Sequence, residues 1–238
     1  MTDPKTHGHG DGGQDRDPGS GYGGQDPDRG SGYGGARRKE PQGWAGTARA
    51  VLQDLRAVDG AVYAAVAGTS TPTLDAALRR LSTAADHSKI SFSVAALLAL
   101  APGRPRRAAL VGAGAVAVAS ASANLLGKRL VRRPRPDREA ARVVAGRHVP
   151  MPDSASFPSG HTASAVAFAT AVGATLPPAA APLWALATAV AYSRVHTGVH
   201  YPGDVAAGAV LGVASAAASL TAVASWTAAR GAGGTGPR

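Results

Sequence analysis

Cysteine is absent from the 238 residues, which excludes disulfides and thiolate metal sites and leaves the redox compartment open. The N-terminus also lacks the basic-then-apolar order of a secretory signal peptide, so any membrane targeting is expected from the body of the chain. Apolar side chains are scarce in the first 42 residues, which are mostly Gly, Asp, Gln, Pro and Arg and have little to offset the entropy of ordering. Within them GGQDRDPGSGY (12–22) is followed at once by GGQDPDRGSGY (23–33), an 11-residue duplication. Its Gly-rich copies, with one Tyr each, bury nothing and read as a flexible tail rather than a solenoid. A Tyr-bearing interaction tail is the alternative, and His7 and His9 within it read as solvated.

Asp, Glu, Lys and Arg are missing from Ile90 to Gly103, Ala108 to Gly127, Ser154 to Ser193 and Val205 to Ala229. Pro177, Pro178 and Pro182 divide the third of these into pieces of about 160 to 176 and 183 to 193. Several uncharged stretches near the roughly 20 residues that cross a bilayer predict an all-α integral membrane bundle of about five or six transmembrane helices. A soluble Ala-rich bundle is the competing reading. Abundant Ala, Gly and Ser suit close helix contact in a bilayer, and period-2 alternation is lacking, so helix is preferred over strand. The segment 44–67, with Arg49, Asp54, Arg56 and Asp59 among apolar residues, is amphipathic and either lies on the membrane or packs as an atypical first span. Residues 74–90, with Arg79 and Arg80, read as interfacial too.

The net charge is +10, which suits an anionic partner, but the dense basic block (128–148) lies between two apolar segments. A nucleic-acid partner is therefore not expected. If each helix crosses once, the ends near 128, 160, 194 and 204 share one face. Three clusters meet there. Lys128 and Arg135 are spaced K-x6-R-P, with Pro134 and Pro136 preventing a regular helix; Arg129, Arg132, Arg133 and Arg138 read as a headgroup-binding edge. Ser159, Gly160 and His161 stand at a helix start, where Ser caps, Gly admits an anion to the backbone and free N–H groups face it. Arg194, His200 and Asp204 form SR-x5-H-x3-D, in which the carboxylate caps the last helix and orients the His200 ring. His196 lacks an obvious carboxylate and reads as structural or substrate-side.

Taken together, K-x6-RP, PSGH and SR-x5-H-x3-D resemble the type 2 phosphatidic acid phosphatase (PAP2) family, related in its active site to the vanadium haloperoxidases. The resemblance covers roughly 70 to 220. It implies catalytic residues His200 (nucleophile, forming a phosphohistidine), His161 (proton donor, then water activation) and Asp204 (holding the His200 ring). It also implies phosphate binding by Lys128, Arg135, Ser159, Gly160 and Arg194, with no metal and no cofactor. The implied substrate is a lipid phosphate or diphosphate: phosphatidic acid, phosphatidylglycerol phosphate or a polyprenyl phosphate. A vanadate-dependent haloperoxidase and a non-catalytic lipid-phosphate-binding scaffold are the alternatives. The expected organisation is a tail (1–42), amphipathic helices (43–89), a phosphatase core (90–230) and a second tail (231–238). The expected location is the plasma membrane, multi-pass, with the site facing outward.

Overall fold

The structure, a computed structural model, describes residues 43–232; the expected tail 1–42 and most of the tail after 230 lie outside the described residues. Eight α-helices follow in order: α1 (Trp44–Gly68), α2 (Pro72–Ala84), α3 (Lys89–Ala99), α4 (Arg104–Ala121), α5 (Lys128–Leu130), α6 (Gly160–Thr175), α7 (Ala180–His196) and α8 (Pro202–Ala232). No strand occurs among the described residues. A π-helical segment, Ser122–Gly127, joins α4 to α5.

Helix starts follow from proline chemistry. Pro72 and Pro202 open α2 and α8, and Pro105 sits in the first turn of α4, because the first helical N–H groups have no partner and a residue without one loses nothing there. The same reason corrects the expected start of α7 at 183. Pro182 lies in the first turn of a helix that already begins at Ala180, after the tight turn Pro177–Ala179.

Helix α6 is the centre of the bundle and packs against α4, α7 and α8. One side of the core joins Ala95 of α3, Ala109 and Val116 of α4, Val166, Phe168 and Val172 of α6, and Leu183 and Ala187 of α7. The other joins Val111, Ala115 and Ala119 of α4 to Ala163, Ala167 and Ala171 of α6 and Ala216 of α8. The α6–α8 seam is close because two glycines face α6. A Cβ on Gly208 would meet the Ser159 carbonyl at 2.5 Å, and one on Gly212 the Ala163 carbonyl at 2.6 Å. Small residues let the backbones approach to this distance. Among the described residues two helices, Arg104–Leu125 and Pro202–Arg230, are long and apolar enough to cross a membrane.

The expected interfacial stretch 74–90 is not one helix. The chain leaves α2 at Ala84 and turns through Asp86–Ser88, where His87 (φ 56°) and Ser88 (φ 57°) are both left-handed. Two such residues cannot continue a right-handed helix, and the turn aims Asp86 back into the bundle. Helix α1 buries Asp59, Tyr63 and Ala67, four residues apart in succession, and leaves Val51, Leu52, Leu55 and Val58 exposed.

Candidate active site

The start of α8 is tied down by an acid from within and an acid from outside. Asp204, the third residue of α8, accepts from the Tyr201 backbone N–H at 2.9 Å, the carboxylate half of a capping box. Its Oδ2 also accepts from Ser156 Oγ at 2.8 Å, and its Oδ1 pairs with Arg133 Nη1 at 3.0 Å. Asp59 of α1 accepts from the Gly203 N–H at 2.6 Å and pairs with the other Arg133 nitrogen at 2.6 Å. Arg133 thus bridges two carboxylates while its guanidinium lies 4.0 Å from the centre of the Tyr201 ring. This corrects its reading as a headgroup-binding residue: with Asp204 fully buried, the carboxylate requires a cation at hand.

His200 stands four residues before Asp204, with Nδ1 3.6 Å from Oδ2, slightly longer than a hydrogen bond. Its Nε2 lies 3.4 Å from Arg135 Nη1. A guanidinium has only donors, so the ring nitrogen facing Arg135 carries the lone pair and Nδ1 carries the proton toward Asp204. Burial pushes the His200 imidazole down to about 4, against the opposing pull of Asp204, so the ring is neutral near pH 7. Arg135 is fixed by the carbonyls of Ser154 (2.9 Å) and Val199 (2.8 Å). Burial lowers the Arg135 and Arg138 guanidiniums from their ordinary value, though both remain charged.

Ser159 caps α6, its hydroxyl oxygen accepting from the Thr162 N–H at 3.4 Å and from the Thr162 hydroxyl at 3.0 Å. It is fully buried, and its own N–H donates to the Asp204 carbonyl at 2.9 Å, which joins the α6 and α8 starts directly. Gly160 beside it is partly exposed, and a Cβ there would meet only Ala123 at 4.0 Å, so there is open space beside its Cα. His161 Nε2 contacts Asp86 Oδ1 at 2.8 Å. Arg194 is 2% exposed; its Nη1 donates to Ser82 Oγ (2.6 Å) and O (3.2 Å) and lies 4.0 Å from Asp86. Arg194 Nε is buried without a protein partner. His161, Arg135 and Arg194 all act electrostatically on His200 or on one another. Of the eight residues singled out from sequence, seven gather at this end of the bundle. The eighth, Lys128, opens α5, and its side chain lies outside the described residues.

A second polar cluster adjoins the first. Asp75 of α2 accepts from His196 Nε2 and Arg147 Nε, both at 2.9 Å. Arg147, fully buried, also donates to the Thr69 and Val66 carbonyls and to Thr71 Oγ1. So His196 does have a carboxylate, supplied from far along the chain. Arg138, expected at the headgroups, instead donates to the carbonyls of Gly198 (3.3 Å) and Val149 (2.8 Å). Sequence reasoning missed Asp86, Ser82, Asp75, Arg147 and the bridging of Asp59. One signal existed for Asp59: an acid at helical spacing with Tyr63 and Ala67 on the face that became buried, where an acid needs a partner. No cluster of three or more His, Asp or Glu suited to a metal ion occurs among the described residues.

Residues 108–228 match the PAP2 superfamily. Decaprenylphosphoryl-5-phosphoribose phosphatase of Mycobacterium tuberculosis is 43% identical over 146 residues, covering 59% of this chain and 76% of the relative. The protein of the same name from Mycolicibacterium smegmatis is 41% identical over 153 residues, covering 62% and 77%. Among solved structures, Aquifex aeolicus LpxE aligns with a TM-score of 0.56 at 24% identity over 67% of this chain and 93% of its own. The transmembrane PAP2-type phosphatidylglycerolphosphate phosphatase of Bacillus subtilis aligns with a TM-score of 0.56 at 21% identity, over 71% and 85%. The last two speak for a shared fold.

Proposed function

This chain belongs to the PAP2 superfamily, and on that premise we propose that it is a membrane phosphatase removing the terminal phosphate of a polyprenyl-linked phosphosugar or a similar lipid phosphate. The observation that carries the reading is His200: neutral, with its lone-pair nitrogen beside Arg135 and its protonated nitrogen toward Asp204.

His200 Nε2 attacks phosphorus, forming the P–N bond as the P–O bond to the leaving group breaks. His161 gives its proton to the leaving oxygen, and then takes one from the water that attacks phosphorus and releases His200. Asp86, bonded to His161 Nε2, holds that ring in place. The phosphoryl oxygens are bound by Arg135, the Nε of Arg194 and the Gly160 amide, which neutralise the developing charge, and Lys128 is the further cation that the family pattern implies. Ser159 contributes by fixing the first turn of α6, which leaves the Gly160 amide free to donate.

The polyprenyl class is favoured by the 41–43% identity with decaprenylphosphoryl-5-phosphoribose phosphatases. The helices are read as a multi-pass bundle in the plasma membrane, with five or six crossings and the site on the outer face. Two apolar helices support membrane insertion, and the arginines of the first turn of α4, at the end remote from the site, favour the cytoplasm. Phosphate release by the detergent-purified protein tests the activity, measured with EDTA across polyprenylphosphoryl-phosphoribose, polyprenyl monophosphate, phosphatidylglycerol phosphate and phosphatidic acid. Release from the polyprenylphosphoryl substrate first, surviving EDTA, is expected. Silence on all four lipids from folded protein would overturn the reading in favour of a lipid-phosphate binder.

A further inference from the structure

We propose that α1 supplies a positioning residue to the candidate active site: Asp59, acting through Arg133 on Asp204, sets the charge that the buried carboxylate presents to His200. Neither Asp59 nor Arg133 is a defining residue of the three motif clusters. One Asp59 oxygen accepts from the Gly203 N–H at 2.6 Å, and the other pairs with Arg133 Nη2 at 2.6 Å. Arg133 Nη1 meets Asp204 Oδ1 at 3.0 Å. The approach leaves no room for a side chain between, since a Cβ on Gly203 would meet the Asp59 carboxylate at 2.9 Å. One turn further along α1, Tyr63 packs edge-on against Tyr201, with 5.5 Å between ring centres. Tyr63 and Ala67 share a buried cluster with Val195, and Tyr201 and Val205 pack against it. Helix α1 therefore grips the chain on both sides of His200.

Charge decides what this contact does. Asp59 and Asp204 are both buried, where charges act on one another with little screening. Two carboxylates and one guanidinium leave the trio with one net negative charge. If Arg133 served Asp204 alone, the Nδ1–H of His200 would face a neutral pair. Without Arg133, two carboxylates would draw the ring toward its protonated form, which has no lone pair for attack. As the P–N bond forms at Nε2 the ring gains positive charge, and the net negative charge of the trio stabilises it. The other charged or titratable groups acting on His200 are Arg135 from the loop after α5, Arg194 of α7 and His161 of α6, while Asp86 is bonded to His161. Arg135 and Arg194 are cations and a protonated His161 would be a third, so the trio supplies the opposing charge. The inference rests on the phosphatase reading for the role of His200, and the state of the ring can be read without turnover.

The test combines phosphate release with NMR of the full chain in detergent micelles, carrying isotope-labelled histidine, the His200 signals being assigned by their loss in His200→Ala. Asp59→Asn removes the charge while keeping the side chain's shape and an oxygen for the Gly203 N–H. It is expected to lower kcat about tenfold with KM within about twofold of the parent, and to move the Nδ1 proton of His200 upfield at neutral pH. In the Asp204→Asn background the same change is expected to alter kcat by less than about twofold, because its route to the ring is gone. Arg133→Gln acts on the ring in the opposite sense and is expected to raise the midpoint of His200 protonation by about one pH unit. Equal kcat losses in the two backgrounds, unshifted His200 signals in Asp59→Asn, or a midpoint that does not rise in folded Arg133→Gln would each overturn the proposal and leave Asp59 a structural tie. Should Arg133→Gln fail to fold, Asp59→Asn decides alone by its ring signals and its coupling to Asp204. If the parent hydrolyses no lipid, the phosphatase reading fails, while the His200 signals of Asp59→Asn still decide the positioning.

Discussion

The two histidine–carboxylate pairs occupy contrasting ground. His200 and Asp204 are almost wholly buried, and Asp204 is held by Ser156, Tyr201 and Arg133 at once. His161 and Asp86 are 22% and 36% exposed, and Asp86 rides on a left-handed turn between two helices. The contrast matches the demands of the two roles proposed for these histidines. A nucleophile must be neutral and aimed, which burial and a fixed carboxylate provide. A proton donor that later activates water must stay within reach of solvent.

Removing the buried histidine cuts deepest: His200→Ala is expected to lower kcat by at least about 10⁴-fold with the fold intact, measured by phosphate release together with thermal unfolding. Next comes its carboxylate. Asp204→Asn is expected to cost on the order of 10³-fold, because an amide can turn the ring or stabilise the wrong tautomer; activity within tenfold of the parent would undo the contrast between the pairs. Asp86→Asn should cost about 10- to 100-fold on alkyl lipid phosphates and far less on p-nitrophenyl phosphate, whose leaving group needs no proton. An equal loss on both substrates would reduce Asp86 to scaffolding. Arg147→Ala acts outside both pairs; it leaves Asp75 uncompensated and is expected to lower stability by ~3–5 kcal/mol, seen as a fall in Tm with kcat within a few-fold of the parent.

The smallest effect is that of pH. Folded His200 takes its proton near 4, while an unfolded histidine takes it near 6.5. Between those values the unfolded chain binds more protons, so the contribution of His200 to stability is complete above about 6.5 and is lost as pH falls toward 4. The acid limb of kcat/KM should likewise lie near 4 to 5. A limb at 6.5 would mean that the ring is not desolvated in the working protein.

The helical class, the start of α6 and the three motif clusters were legible in the sequence because each is local: serine marks a cap, and charge-free runs mark helices. The starts of α7 and α8 lay two or three residues earlier than the prolines were read to allow, because proline fits a first helical turn. What stayed hidden is pairing at long range. Asp86 with His161, Ser82 with Arg194, Asp75 with His196 and Asp59 with Arg133 each join an N-terminal helix to the core, and no periodicity reports such a match. The turn at His87 and Ser88 was hidden for another reason: neither residue is Gly or Asn, the usual signs of left-handed backbone.

Helix α1 would pass for a disposable anchor on its apolar exterior, yet Asp59 reaches both the backbone of Gly203 and the guanidinium that neutralises Asp204. The consequence is one of inheritance. A descendant that trimmed or exchanged its N-terminal helix would strand Arg133 and loosen the α8 start in the same event. Positions 59 and 133 are therefore expected to be lost or replaced together, as a single heritable unit divided between distant parts of the chain.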